Sequence, residues 1–187
     1  LFLPGPEHER AYLVALAERL SAAAAVVSYN GGSFDLPLVR TRFAMHGLPD
    51  PLAGARHLDL LPLARRLWRE RLPDCTLGTI EREVLGARRS TRDVPGAEVP
   101  RRYLGFLRSR DARPLRGVLE HNVDDVVALT ALRGRIEAML RDDGDPAEAD
   151  ERLALGRWLD CLGETEAALA RFAAAESVLP EAAWEAA

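Results

Sequence analysis

The sequence contains no lysine, so all 25 of its basic residues are arginines. Arginine suits phosphate recognition, but a complete lack of lysine reflects genome composition rather than function. Cysteine is scarce as well. Cys75 and Cys161 are far apart, without the paired spacing that zinc or redox chemistry requires, and read as small apolar residues of a reducing, cytoplasmic compartment. No apolar run approaches the length that spans a bilayer. The opening L-F-L-P-G-P is not a basic signal sequence and reads as the end of a strand or linker, so the chain is expected to be a piece of a longer protein.

What is present is ordinary for a globular chain. With 187 residues, 48% hydrophobic and 29% charged, there is room for one good-sized core and a smaller appendage. The net charge of −4 is unevenly spread. From Asp145 onward there are ten acids and three arginines, leaving 19 acids and 22 arginines before it. The first part therefore tolerates a polyanion that the tail would repel.

The organising stretch is A-V-V-S-Y-N-G-G-S-F-D, from Ala25 to Asp35. Its apolar start and Asn30-Gly31-Gly32 turn predict a short buried strand ending in a tight turn. A helix follows, with Ser33 as its cap, Asp35 in its first turn, and Leu36, Val39 and Phe43 on one face. Asp35 thus stands just past the carboxyl end of a strand. Ligands bind there in open α/β sheets, which makes Asp35 a candidate for metal or substrate chemistry; support of the helix start is the plain alternative.

Around this stretch the spacing predicts a helix over Glu7 to Ala24, with Pro6 just before it, and a second strand over His57 to Leu61. A helix through Leu63, Leu67 and Trp68 ends at Leu72-Pro73. Another, capped by Thr76, buries Leu77, Ile80 and Val84 and stops at Gly86. The loop from Ala87 to Pro100 carries Arg88, Arg89 and Arg92, either contacts for a nucleic-acid backbone or a solvated charge run. It leads to a helix holding Tyr103, Phe106 and Leu107. Pro114 to Leu140 reads as the longest helix, with Leu115, Val118, Leu119, Val126, Leu129, Leu132, Ile136 and Met139 as its apolar face. His121 and Asp125 share a face of it. After a breaker cluster at 141–146, Leu155, Gly156, Leu159, Gly163, Ala168, Phe172, Ala175 and Pro180 follow the small and large positions of a tetratricopeptide repeat. One repeat cannot bury its face alone, so an array cut off near Trp184, or packing on the preceding domain, is expected.

N-G-x-x-F-D at Asn30 to Asp35, the strand with His57-Leu58-Asp59, and H-N-x-x-D at His121 to Asp125 together resemble the DEDD-type (DnaQ-like) 3′-5′ exonucleases of the ribonuclease H-like fold. The resemblance is nearest to the bacterial YprB-type branch, similar to the proofreading domain of family B polymerases and often joined to tetratricopeptide repeats. It implies an α/β, ribonuclease H-like domain over residues 1–144, lacking its first strands, and a helical repeat over 145–187. It also implies a nuclease acting on DNA or RNA with two divalent metals, Mg2+ or Mn2+, one activating water and the other stabilising the leaving oxygen.

By this resemblance Asp35 and Asp125 are catalytic acids and metal ligands, brought together by the long helix, and His121 orients or deprotonates the water. Histidine's neutral form is available near pH 7, which suits a base. Asn30 and Phe34 shape the substrate groove, Asp59 supports the sheet end and His57 is structural. Asp124 points about 100° away around the helix, which favours Asp125. The family's first motif, a D-x-E pair, has no counterpart ahead of the first helix; His8-Glu9 follows a turn. The site is therefore expected to be incomplete and the chain inactive by itself. The alternative is a non-catalytic scaffold whose helical repeat binds a protein partner.

Overall fold

Strand β1 is Ala25–Ser28 and strand β2 is Arg56–Asp59. They pair in parallel, Val26 opposite His57 and Ser28 opposite Asp59, in a computed structural model that describes residues 1–87, 94–141 and 149–176. Parallel neighbours need a long connection, and helix α2, Asp35–Met45, lies within it as expected. Among the described residues these two strands are the whole sheet. The remainder is helical: α1 Glu9–Leu20, α3 Leu60–Trp68, α4 Leu77–Glu83, α5 Val99–Ser109, α6 Arg116–Arg141, α7 Ala149–Cys161 and α8 Thr165–Glu176.

Two local expectations are corrected here. β1 is not buried: Ala25 is exposed, and Val26 and Val27 are half-buried. Parallel strands bury both faces only when further layers cover them, and a two-stranded pair offers little cover. Ser33 does not cap α2, which begins at Asp35 with no side-chain cap. The backbone takes that role, Ser33 N–H donating to the Asn30 carbonyl at 3.3 Å and Leu36 N–H to the Gly31 carbonyl at 2.9 Å.

The chain divides into two compact units, Leu1–Leu60 with Ala87–Leu129, and Leu61–Gly86 with Thr130–Ala187. In the first, Leu13, Leu36, Phe43, Phe106 and Leu115 are buried. The Glu9 carboxylate of α1 accepts hydrogen bonds from both Arg42 Nε and Nη2 of α2, and lies 2.9 Å from His46 Nε2. The first residues are held by α5: Tyr103 Oη donates to the Leu3 carbonyl at 3.0 Å, Arg110 Nη1 donates to the Pro4 carbonyl at 2.9 Å, and Phe2 meets Phe106 edge-on.

In the second unit Trp68, Ile80, Leu132, Ile136 and Leu155 form the core. Thr76 caps α4 as expected, its Oγ1 accepting from Thr79 N–H at 3.3 Å. Burial pushes the Cys75 thiol up, in keeping with an inert residue. Glu151 is buried where α7 meets α3 and α6, accepting from Trp68 Nε1 at 2.6 Å, Arg71 Nη2 at 3.2 Å and Arg135 Nη2 at 2.8 Å. Helices α7 and α8 pack on each other through Gly156, where a Cβ would stand 2.5 Å from Phe172 Cε1, and Ala168 is buried beside them.

The apolar face expected of α6 is split. Leu132, Ile136 and Met139 are buried, but Leu119 and Val126 are 52% and 58% exposed. A single periodic stripe covers the whole helix, while only its second half packs in the second unit. Arg88, Arg89 and Arg92, the breaker cluster after Arg141, and Pro180 and Trp184 lie outside the described residues.

Candidate functional site

The apolar residues of β1 give way to polar and glycine residues at Tyr29, and the chain reverses at once. Asn30 takes up left-handed backbone, φ 64°, which asparagine tolerates better than most residues with a Cβ. Gly31 follows where there is no space for a side chain: a Cβ would come within 2.5 Å of Ser28 Cβ and Oγ. The turn delivers Phe34, 68% exposed, to the position before α2, and Asp35, also exposed, to its first residue. A carboxylate there faces the positive end of the helix dipole.

Beside this turn, β2 ends in His57-Leu58-Asp59. Ser28 Oγ and His57 Nε2 share a hydrogen bond of 2.8 Å across the two strands. Asp59 accepts from Asn30 N–H at 2.8 Å through one oxygen and from Gly32 N–H at 3.0 Å through the other. The expected supporting role of Asp59 thus has a definite form. Its acceptor pairing with the Asn30 turn is not legible from spacing, because the two segments are 27 to 29 residues apart.

On α6, one helical turn brings His121 Nε2 to 3.3 Å from Asp125 Oδ2. Their side chains are 24% and 34% exposed, open to solvent without being loose on the surface. A carboxylate at that distance steadies the orientation of the imidazole ring. Asp124, adjacent in sequence, is exposed. So Asn30, Phe34 and Asp35 stand on one turn, and His121 and Asp125 on one helix face.

The donor chemistry is that of hard cations, since exposed carboxylates suit magnesium or manganese. Among the described residues, no group of three or more His, Cys, Asp and Glu side chains could enclose a metal ion. Asp35, His121 and Asp125 therefore do not make a three-ligand cluster.

No helix among the described residues is long and apolar enough to cross a membrane. Residues 1–137 match the RNase_H superfamily. The chain is 36% identical over 170 residues to the uncharacterized protein YprB of Bacillus subtilis (strain 168), covering 89% of this chain and 40% of that protein. It thus spans well under half the length of that curated relative. No solved structure matches. With most of its length matched and Asn30 to Asp35 set just past the end of a parallel strand, this chain belongs to the RNase H superfamily.

Proposed function

We propose that the chain is part of a metal-dependent 3′-5′ exonuclease that hydrolyses phosphodiester bonds of DNA or RNA. Asp35 and Asp125 hold magnesium or manganese, which when bound supplies an activated water and charge stabilisation of the leaving oxygen. His121 takes the proton from the water, with Asp125 steadying its ring at 3.3 Å. Asn30 and the exposed Phe34 ring bound the groove for the terminal nucleotide, Phe34 offering a face on which a base can stack. The observation that carries this reading is the acid-bearing turn at the carboxyl end of β1, in a chain of this superfamily.

Two-metal catalysis draws on about four carboxylates, and the motifs supply two here, so the chain alone binds metal weakly and turns over little or nothing. The test is manganese-dependent degradation of end-labelled single-stranded DNA and RNA by the full-length gene product and by this chain. Full-length protein should degrade the strand from its 3′ end, and Asp125→Asn or Asp35→Asn should abolish cleavage while leaving the melting temperature within a few degrees. Unchanged turnover in both variants would move the active site elsewhere.

A second reading is favoured by the close packing of Gly156 under Phe172: a tetratricopeptide-type pair, α7 and α8, on a nuclease-fold scaffold that binds a protein partner. Its acidic surface makes it a poor contact for nucleic acid, so neutralising its exposed acids with Asp160→Asn, Glu164→Gln and Glu166→Gln should leave strand affinity nearly unchanged. A tenfold change in strand affinity on those substitutions would remove the protein-binding role. Absence of cleavage by the full-length product would favour this scaffold over the enzyme.

A further inference from the structure

Asp59 is the last residue of β2, opposite Ser28 in the ladder. Both its carboxylate oxygens are engaged by one turn, Oδ1 by Asn30 N–H at 2.8 Å and Oδ2 by Gly32 N–H at 3.0 Å. Alternate backbone N–H groups converging on one anion form a nest, and here the anion is a side chain of the protein itself. The nest needs Asn30 in left-handed backbone, and charge-assisted bonds offset that cost. Gly32 fits closely above it, since a Cβ would stand 3.2 Å from Asp59 Oδ2 and 3.4 Å from His57 Cε1. On its far side the turn is tied to α2 by the bond from Leu36 N–H to the Gly31 carbonyl, 2.9 Å. A continuous series of bonds therefore runs from β2, through the turn, to the first turn of α2.

We propose that Asp59 is a positioning residue: by filling the Asn30–Gly32 nest with its own carboxylate, it fixes the start of α2 and so the placement of Phe34 and Asp35. Its importance to catalysis rests on the reading of Asp35 as a metal ligand, but the clamp itself is a property of the fold.

The test uses the 15N-labelled chain and two readouts, amide hydrogen exchange and line broadening by Mn2+. Asp59→Asn keeps the shape but turns an NH2 group toward one of the two backbone donors. Exchange at Asn30, Gly32 and Leu36 should rise about tenfold, the equivalent of one charge-assisted bond. The Mn2+ concentration that broadens the Asp35 amide should also rise about tenfold. His57→Ala, which removes the bond to Ser28 and leaves both nest bonds intact, is the control and should change neither. Asp59→Ala should act like Asp59→Asn.

Wild-type exchange rates in Asp59→Asn would overturn the clamp. Faster exchange with unaltered Mn2+ broadening at Asp35 would overturn the positioning role, and equal effects from His57→Ala would reduce the clamp to general fraying of the strand pair. Wild-type protein with no Mn2+ broadening at Asp35, but with exchange that depends on Asp59, would support the clamp and remove the metal-binding reading instead.

Discussion

Replacing Glu151 by alanine removes a carboxylate whose side chain is 2% exposed and serves three donors, Trp68 on α3, Arg71 in the turn after it and Arg135 on α6. Trp68 is fully buried and would be left with an unpaired indole N–H, costing about 1–3 kcal/mol. The side chains of Arg71 and Arg135, 24% and 19% exposed, would lose the counter-charge that holds them. Breaking a buried pair by removing one partner costs about 3–5 kcal/mol, and that range fits here. It is a large share of the roughly 5–15 kcal/mol that stabilises a domain. Glu151→Gln keeps an oxygen for one donor and loses the charge, so about 2–3 kcal/mol is expected.

Urea unfolding followed by far-UV circular dichroism measures both variants. With a slope of about 1–3 kcal/mol per molar urea, Glu151→Ala should lower the midpoint by about 2 M. A double-mutant cycle of Glu151→Gln with Arg135→Met isolates the 2.8 Å pair, with a coupling of about 1.5–3 kcal/mol expected. A midpoint for Glu151→Ala within error of wild type would refute the reasoning, because the buried Trp68 N–H cannot lose its acceptor at no cost.

The Glu9 carboxyl is held down to about 2, first by hydrogen bonds from Arg42 and then by His46, against an ordinary 4.5. A lowered carboxyl stabilises the fold above its unfolded value and loses that contribution as pH falls from 4.5 toward 2. With Arg42 partly in solvent, the contribution is about 1–2 kcal/mol; wild type should melt above Glu9→Gln at pH 6 and converge with it as pH falls to about 2, and parallel profiles would refute the link. Gly156→Val would push a side chain into the Phe172 ring, 2.5 Å from Cε1, and should cost about 2–3 kcal/mol in the same urea assay. Phe172→Ala in that background should recover part of the loss, and additive losses would show that the two positions do not meet.

Strand pairing was legible because the apolar run at Ala25 is closed by Asn30, Gly31 and Gly32, with a helical pattern after it long enough to permit a parallel neighbour. The Thr76 cap was legible for a similar local reason. Ser33 was misleading: its side chain matches the capping preference, but the backbone of the Gly31-Gly32 turn already satisfies the donors at that helix start. Periodicity on α6 identified a helix without telling which half of the stripe is covered, since Leu119 and Leu132 look alike in sequence and end up 52% and 0% exposed. In the candidate site, Asn30, Phe34 and Asp35 were visible as a turn leading into a helix, and His121 with Asp125 as a four-residue spacing. The acceptor role of Asp59 and the burial of Glu151 were not visible, because the partners are separated by 27 residues in one case and up to 83 in the other.

The division of the chain into interleaved units bears on the order in which it can fold. The segment Leu61–Gly86 belongs to the second unit yet is made before Ala87–Leu129, which the first unit requires. Tyr103 and Leu3, which hold each other, are 100 residues apart. At about 5–20 residues per second, the first residues and α5 are separated by some 5–20 seconds of synthesis, far longer than helices and hairpins take to form. On the ribosome, α3 and α4 must wait with their apolar sides uncovered until α6 and α7 emerge, and that interval is when a holding chaperone would act. The pair α7 and α8, being local, needs no such delay and closes as soon as Phe172 clears the exit tunnel.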